Sequence, residues 1–311
     1  MAGLGVVVLL VRHIGAGQVL DLFGRVGWRF AVAAGIYTAS IGVRAAALWR
    51  TVLTRRVRYS DVLRIRFAGE AVEMLTFTGP FLAEPAKGWL LTRRGMSTAD
   101  AFAAVVTEYL LYTVVSAVLQ MAALLLLLAR GAVPHDLRAA AVIVLILSAA
   151  FLAAFSFAAI TGIGLLVPIL RASRVLIGAR RADRAARDFG RVEEGILTFL
   201  HAHPVRLAEV FAIEAAAQLL LVVEIAVVFG ALGFPVSWPD ALVVEGGGKF
   251  AAIAFAFVPG QVGIAEGLYV WLSGAIGIPV AAGLTLALVR RVRALAVAAV
   301  GVFAMFETRT S

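Results

Sequence analysis

Long apolar runs separated by short basic segments make up most of the chain. Five of these runs are long enough to cross a bilayer, which needs about 20 residues: 28–49, 97–128, 139–170, 207–232 and 279–306. A sixth run starts at Met1 and continues toward residue 23, interrupted by Arg12 and His13. The pattern predicts an all-α integral membrane protein with about six transmembrane helices.

Two further apolar segments, 61–92 and 240–276, contain helix-breaking residues near their centres. Their two legs are each roughly 15–18 residues, or about 22–27 Å as helix, which fits either a re-entrant or a fully crossing pair. We therefore predict two helical hairpins, whose breaks lie at Gly79, Pro80, Pro259, Gly260 and Gly263.

The two hairpins and the helices after them share one spacing. An offset of 182 residues relates Glu84 to Glu266, Gly95 to Gly277, and Glu108 to Arg290. Three predicted spans separate the hairpins, so the hairpins enter the membrane from opposite faces. The sequence thus predicts an inverted repeat, as in many transporters, with repeat A at about 61–129 and repeat B at about 240–306.

Composition and charge agree with a single polytopic membrane domain over residues 1–311. Hydrophobic residues make up 62% of the chain and charged residues 15%. The formal charge of +9 comes from arginines in the loops at 50–66, 93–94 and 171–206, which predicts that these loops and both termini are cytoplasmic. This distribution argues against nucleic-acid binding. The segment 171–206 fits either an amphipathic surface helix or a plain cytoplasmic loop.

Charged side chains inside the apolar segments are the candidate site residues. Each costs about 2.5–3.5 kcal/mol on insertion scales, so such residues usually face a cavity or a partner. The acidic ones outside the candidate site are Glu70, Glu73, Glu214, Glu224 and Glu245. The candidate substrate-binding residues are Glu84, Lys87, Glu108, Lys249, Glu266, Arg290, Arg291 and Arg293. Internal salt bridges are the alternative role for all of them.

Each candidate role has a structural alternative. Glu84 and Glu266 follow a helix break, so they fit a cation or proton site, or a helix cap. The arginines at 290, 291 and 293 fit recognition of an anionic headgroup, or pairing with Glu108 or Glu266. Because adjacent residues on a helix do not share a face, Arg290 and Arg291 are not expected to face one groove.

No pattern in the chain predicts catalysis, a metal or a cofactor. His201 and His203 have no obvious third ligand beside them, and there are 0 cysteines. The run from Gly246 to Lys249 superficially resembles a phosphate loop but lies in a membrane segment, where it predicts close helix packing. An intramembrane enzyme is therefore the weakest interpretation.

Two motifs resemble the flippase-like membrane family named for the transmembrane domain of lysylphosphatidylglycerol synthase. The first is Pro80-Phe81-Leu82-Ala83-Glu84 with Gly95-Met96-Ser97 after it. The second is Pro259-Gly260-Gln261-Val262-Gly263-Ile264-Ala265-Glu266, followed by Gly277 and Arg290-Arg291, and it looks closest to the hopanoid-biosynthesis branch. Departures are Tyr109, where family members often have Arg after Glu, and Lys87, where Arg is common.

The resemblance implies an inner-membrane protein that moves or handles lipid. Members of the founding group carry a soluble aminoacyl-transferase domain, which we do not expect here because the chain ends at Ser311. The leading hypothesis is a flippase-like transporter of a polar or anionic lipid. The alternative is a non-transporting partner of lipid-biosynthesis enzymes. The expected partners are thus a membrane lipid and such enzymes, and the oligomeric state stays open.

Overall fold

A computed structural model describes residues 17, 21, 24–54, 57–75, 80–164, 166–172, 178–254 and 263–307. Within these ranges the protein has eleven helices and no strand, which confirms the predicted all-α class. The helices are α1 (Arg29–Thr51), α2 (Tyr59–Leu75), α3 (Pro80–Thr92), α4 (Thr98–Ala129), α5 (His135–Thr161), α6 (Leu166–Ala172), α7 (Ala179–Ala202), α8 (Pro204–Ala231), α9 (Trp238–Ala254), α10 (Ile264–Ala275) and α11 (Val280–Glu307).

Four of the described helices are long and apolar enough to cross a membrane: α1, α4, α8 and the Arg138–Thr161 part of α5. Helix α11 has 28 residues but is not among these four, because Arg290, Arg291 and Arg293 lie together near its middle. The predicted first span, up to residue 23, lies almost entirely outside the described residues. The count of six spans therefore stays a prediction.

The predicted span at 139–170 is wrong in its last third. Helix α5 ends at Thr161, and Gly162 follows with a left-handed φ of 70° that closes the helix. Glycine reaches this conformation without a steric penalty, so it commonly terminates helices. A separate short helix, α6, begins only at Leu166.

Both predicted hairpins contain two helices, α2 with α3 and α9 with α10. The break at Pro80 is the first residue of α3, and Gly263 precedes α10 with a φ of 88°. The other predicted breaks, Gly79, Pro259 and Gly260, lie outside the described residues. Both legs of each hairpin pack against each other, as expected for antiparallel neighbours.

The first leg of each hairpin also packs along the last helix of the other predicted repeat. Helix α2 lies on α11, and α9 lies on α4, while α1 and α8 pack on each other. Glycines allow these close approaches: a Cβ at Gly301 would lie 2.2 Å from the Phe67 carbonyl oxygen. A Cβ at Gly246 would lie 2.8 Å from the Leu119 oxygen, which confirms the predicted packing role of this glycine run.

The basic segment at 171–206 is largely helical rather than a plain loop. Helix α7 occupies Ala179–Ala202 and buries Phe199 and Leu200 against neighbouring helices. It also packs closely on α4, as a Cβ added at Gly195 would lie only 2.8 Å from the Cβ of Ala103. The described part of this segment is therefore helical, and its location at the membrane surface stays a prediction.

Candidate functional site

A polar cavity of about 300 Å³ lies among seven helices near the centre of the protein. Its wall includes residues from α1, α2, α4, α8, α9, α10 and α11. The charged side chains in the wall are Arg44, Glu70, Glu73, Glu245, Lys249, Glu266, Arg290, Arg291 and Arg293. Charged side chains from separate apolar helices thus converge on one space, which is typical of a ligand pathway in a membrane protein.

Beside this cavity, a group of cations surrounds Glu108 on α4; we call these residues the Glu108 cluster. Glu108 is fully buried, and its Oε1 accepts hydrogen bonds from Arg66 Nη1 at 3.1 Å and Arg44 Nη2 at 3.2 Å. Lys87 Nζ lies 3.8 Å from Glu108 Oε2 and 2.7 Å from Glu84 Oε2. One carboxylate is therefore held by three cations from three other helices.

The opposite arrangement surrounds Arg290 on α11; we call this group the Arg290 cluster. Arg290 Nη2 donates to Glu245 Oε2 at 2.7 Å and to Glu224 Oε2 at 3.2 Å, and Nη1 donates to the Tyr269 hydroxyl at 2.7 Å. Arg293 Nη2 donates to the same Glu224 oxygen at 2.8 Å. Charge-assisted bonds of this kind are roughly twice as strong as neutral ones.

Two tyrosines join the clusters. Arg44 stacks on the Tyr112 ring at 3.8 Å from its centroid, and the Tyr112 hydroxyl accepts a hydrogen bond from Lys249 Nζ at 3.1 Å. On the other side, Arg293 stacks on Tyr37 at 3.6 Å. Lys249 Nζ also lies 3.3 Å from Glu245 Oε1, and the Tyr37 hydroxyl donates to Glu70 Oε2 at 3.0 Å. The two clusters therefore form one connected network, whose cation–π contacts gain strength where water is excluded.

Glu266 caps a helix and also pairs with an arginine. Its Oε2 accepts the Gly263 backbone N–H at 2.7 Å, which caps the start of α10. Its Oε1 lies 2.6 Å from Arg291 Nη2. The capping alternative is thus correct for Glu266, and the same carboxylate also positions an arginine in the cavity wall.

The expectation that Arg290 and Arg291 cannot face one groove is wrong. Both line the polar cavity. Their Cα–Cβ bonds diverge, but arginine side chains are long, and the acids that bind them, Glu245 and Glu266, lie on different walls. Of the two pairing alternatives for these arginines, Glu266 is correct for Arg291, whereas Glu108 binds other cations.

The predicted site residues fall into two sets. Lys249, Glu266, Arg290, Arg291 and Arg293 line the polar cavity. Glu84, Lys87 and Glu108 belong to the neighbouring Glu108 cluster instead. Their role in substrate binding stays a prediction.

The sequence analysis missed two cations of this network. Arg66 was assigned to a cytoplasmic basic loop, but it is 2% exposed on α2 and pairs with Glu70 as well as Glu108. Arg44 lies within an apolar run and was not considered. An available signal for Arg66 was the carboxylate of Glu70 one helical turn later, a spacing typical of ion pairs within a helix.

A protein-family model described as the lysylphosphatidylglycerol synthase transmembrane region matches residues 1–301. The chain belongs to this family. No significant match was found among curated proteins or among solved structures. Membership in the lysylphosphatidylglycerol synthase transmembrane-region family, together with the apolar helices, indicates a lipid-related membrane protein.

Proposed function

We propose that this protein is a flippase-like transporter that moves a polar or anionic lipid across or within the inner membrane. The observation that carries the proposal is the polar cavity, whose wall holds five cations and four carboxylates among otherwise apolar helices. A folding role alone does not require them, because well-packed apolar residues often replace buried ion pairs without loss of stability. A headgroup that enters the cavity gives these charges a function.

Partner exchange is the proposed binding mechanism. A headgroup phosphate would replace Glu266 at Arg291, or Glu245 at Arg290, because guanidinium groups bind phosphate and carboxylate in the same bidentate geometry. Arg291 is the accessible member, with 30% of its side chain exposed. Glu73 lines the cavity without an ion pair among the described residues, so it is available to bind a proton or a positive headgroup.

An inverted repeat supports alternating access in this proposal. If α1–α4 are exchanged with α8–α11, the packing of α2 on α11 becomes the packing of α9 on α4, and both contacts occur. Rocking of such repeats exposes a central site to each face in turn. In the proposed orientation the arginine-rich segments and both termini are cytoplasmic. The assignment of this chain to the hopanoid-associated branch of the family is also part of the proposal.

Transport of labelled lipid in reconstituted liposomes tests the function. Arg290→Ala, Arg291→Ala and Glu266→Gln are each expected to slow lipid movement about tenfold or more, which corresponds to about 1.4 kcal/mol. Arg187→Ala, at an exposed position on α7, is the control and should transport normally. Transport by the three cavity variants at the control rate, with all proteins folded, would refute the mechanism.

A non-transporting partner of lipid-biosynthesis enzymes is the second candidate function. The observation in its favour is that Arg290 and Arg293 already bind carboxylates, so their charges are satisfied without a ligand. This function predicts a stoichiometric enzyme partner in purified material and no lipid movement by the protein alone. Lipid movement in liposomes without any partner would exclude it.

A further inference from the structure

A second cavity, of about 370 Å³, lies beside the polar one, and α9 and α10 contribute residues to the walls of both. Its wall combines α4, α5, α9 and α10. Its described lining residues include Gln120, Ala141, Val144, Leu268 and Trp271. Leu268 also lines the polar cavity, so the two spaces are adjacent.

The wall of this cavity is apolar. Among its described lining residues, Gln120 is the one with a polar side chain, and it is only 4% exposed. The Gln120 amide nitrogen donates to Ser148 Oγ at 3.3 Å, which directs it to α5. A wall that offers so little hydrogen bonding disfavours water and headgroups, and it favours hydrocarbon.

The exposed face of α5 indicates that the hydrocarbon beside this cavity is lipid. Helix α5 forms one wall and presents Ile143, Ile146 and Leu147 outward, each more than half exposed, as expected for a surface facing lipid chains. The cavity, at about 370 Å³, is more than twice as large as an apolar cavity of roughly 150 Å³ that binds benzene. It therefore has room for a segment of a phospholipid acyl chain.

We propose that this apolar cavity binds one acyl chain of a membrane phospholipid between α5 and the α9–α10 hairpin. The site differs from the polar cavity in its apolar lining and in having α5 as one wall. Binding here does not depend on lipid movement, so the proposal stands or falls separately from the transport function.

Tryptophan quenching tests the site directly, because Trp271 lies in the wall. The full chain with Trp28, Trp49, Trp89 and Trp238 changed to Phe keeps Trp271 as its one tryptophan, which is excited selectively at the red edge of the absorption band. Dibromo-phosphatidylcholine titrated into unbrominated detergent is expected to quench Trp271 saturably, with about one lipid bound per protein. Quenching that only follows the lipid fraction of the micelle, without saturation, would overturn the proposal.

Filling the cavity is the matched perturbation. Ala141→Phe places a ring in the space. Each methylene that the ring displaces lowers the affinity for the chain about fourfold, so we expect the lipid to bind at least about tenfold more weakly. Ile143→Phe, on the exposed side of the same helix, should bind as the parent does. Equal affinity in Ala141→Phe and Ile143→Phe would overturn the proposal.

Two further measurements decide the source of the chain and guard against misfolding. Saturable quenching by a brominated fatty acid but not by the brominated phospholipid would overturn the assignment to phospholipid. Native mass spectrometry of the wild-type chain is expected to detect one retained phospholipid, which Ala141→Phe loses and Ile143→Phe keeps. Equal retention in both variants would contradict the proposed site without reference to the tryptophan substitutions.

Discussion

The contact between α11 and α2 leads to a quantitative prediction for Gly301→Ala. The new Cβ would lie 2.2 Å from the Phe67 carbonyl oxygen, 2.9 Å from its carbon and 3.0 Å from the Ala71 Cβ. The first distance is about 1 Å shorter than about 3.3 Å, the short end of the usual range for a carbon–oxygen contact. Because the Cβ would meet backbone atoms, no rotamer change relieves the overlap. The two helices must therefore move apart by about 1 Å.

The expected cost combines two opposing effects. Overpacking of this size costs about 1–3 kcal/mol, while Gly→Ala within a helix gains about 1 kcal/mol. We therefore expect Gly301→Ala to lower the free energy of unfolding by up to about 2 kcal/mol. Gly267→Ala, on α10, is the matched control, because a Cβ there meets no other atom within 4 Å; it should be neutral or stabilising.

Equilibrium unfolding in mixed detergent micelles, followed by circular dichroism, measures both variants against the parent. The sign of the difference is the test, because the same substitution should destabilise at one site and not at the other. If Gly301→Ala is as stable as Gly267→Ala, the close packing of α11 on α2 is refuted.

Three further perturbations address the charges. Arg66→Ala removes a buried partner of Glu108 and should cost about 3–5 kcal/mol in unfolding free energy, whereas the exposed Arg58→Ala should change it by less than about 0.5 kcal/mol; equal effects would place Arg66 at the surface. Tyr112→Phe loses the Lys249 hydrogen bond but keeps the ring under Arg44, so the same unfolding measurement should show a cost near 1 kcal/mol, and a change as large as that of Tyr112→Ala would contradict this division. Burial raises the pKa of Asp240, but hydrogen bonds from Ser237 and Arg130 outweigh it, so its pKa lies below the ordinary value. Its stabilising contribution is present above the unfolded pKa of about 4 and is lost as the pH falls through the folded pKa; Asp240→Asn should flatten that dependence by about 0.5 kcal/mol or less, and an unchanged profile would contradict it.

Local sequence signals predicted the hairpins and the close packing at Gly246 well. Helix breaks depend on the conformational preferences of proline and glycine, which act within a few residues. The family was also recognisable from the motifs around Glu84 and Glu266. These features depend on neighbours along the chain, so a single sequence contains the information needed.

Ion-pair partners could not be predicted in the same way. Arg290 binds Glu224 and Glu245 because α8 and α9 pass beside α11, and no local pattern fixes that crossing. Arg66 was misplaced because charge counts over a loop describe an average, whereas the direction of one side chain depends on the helices packed around it. The position of a charge in the sequence indicated that it needed a partner but not which partner it has.

The packing of α2 on α11 also has a consequence for how the protein is made. Helix α11 is the last described helix to be synthesised. The surface of α2 beside Phe67 therefore stays unpacked until the helices between α2 and α11 have been made. Arg66 and Glu70, one turn apart on α2, can neutralise each other during that interval. Two fragments separated between residues 172 and 178 should accordingly accumulate in cells only when both are produced together, and pulse-chase labelling of each fragment alone should reveal rapid degradation.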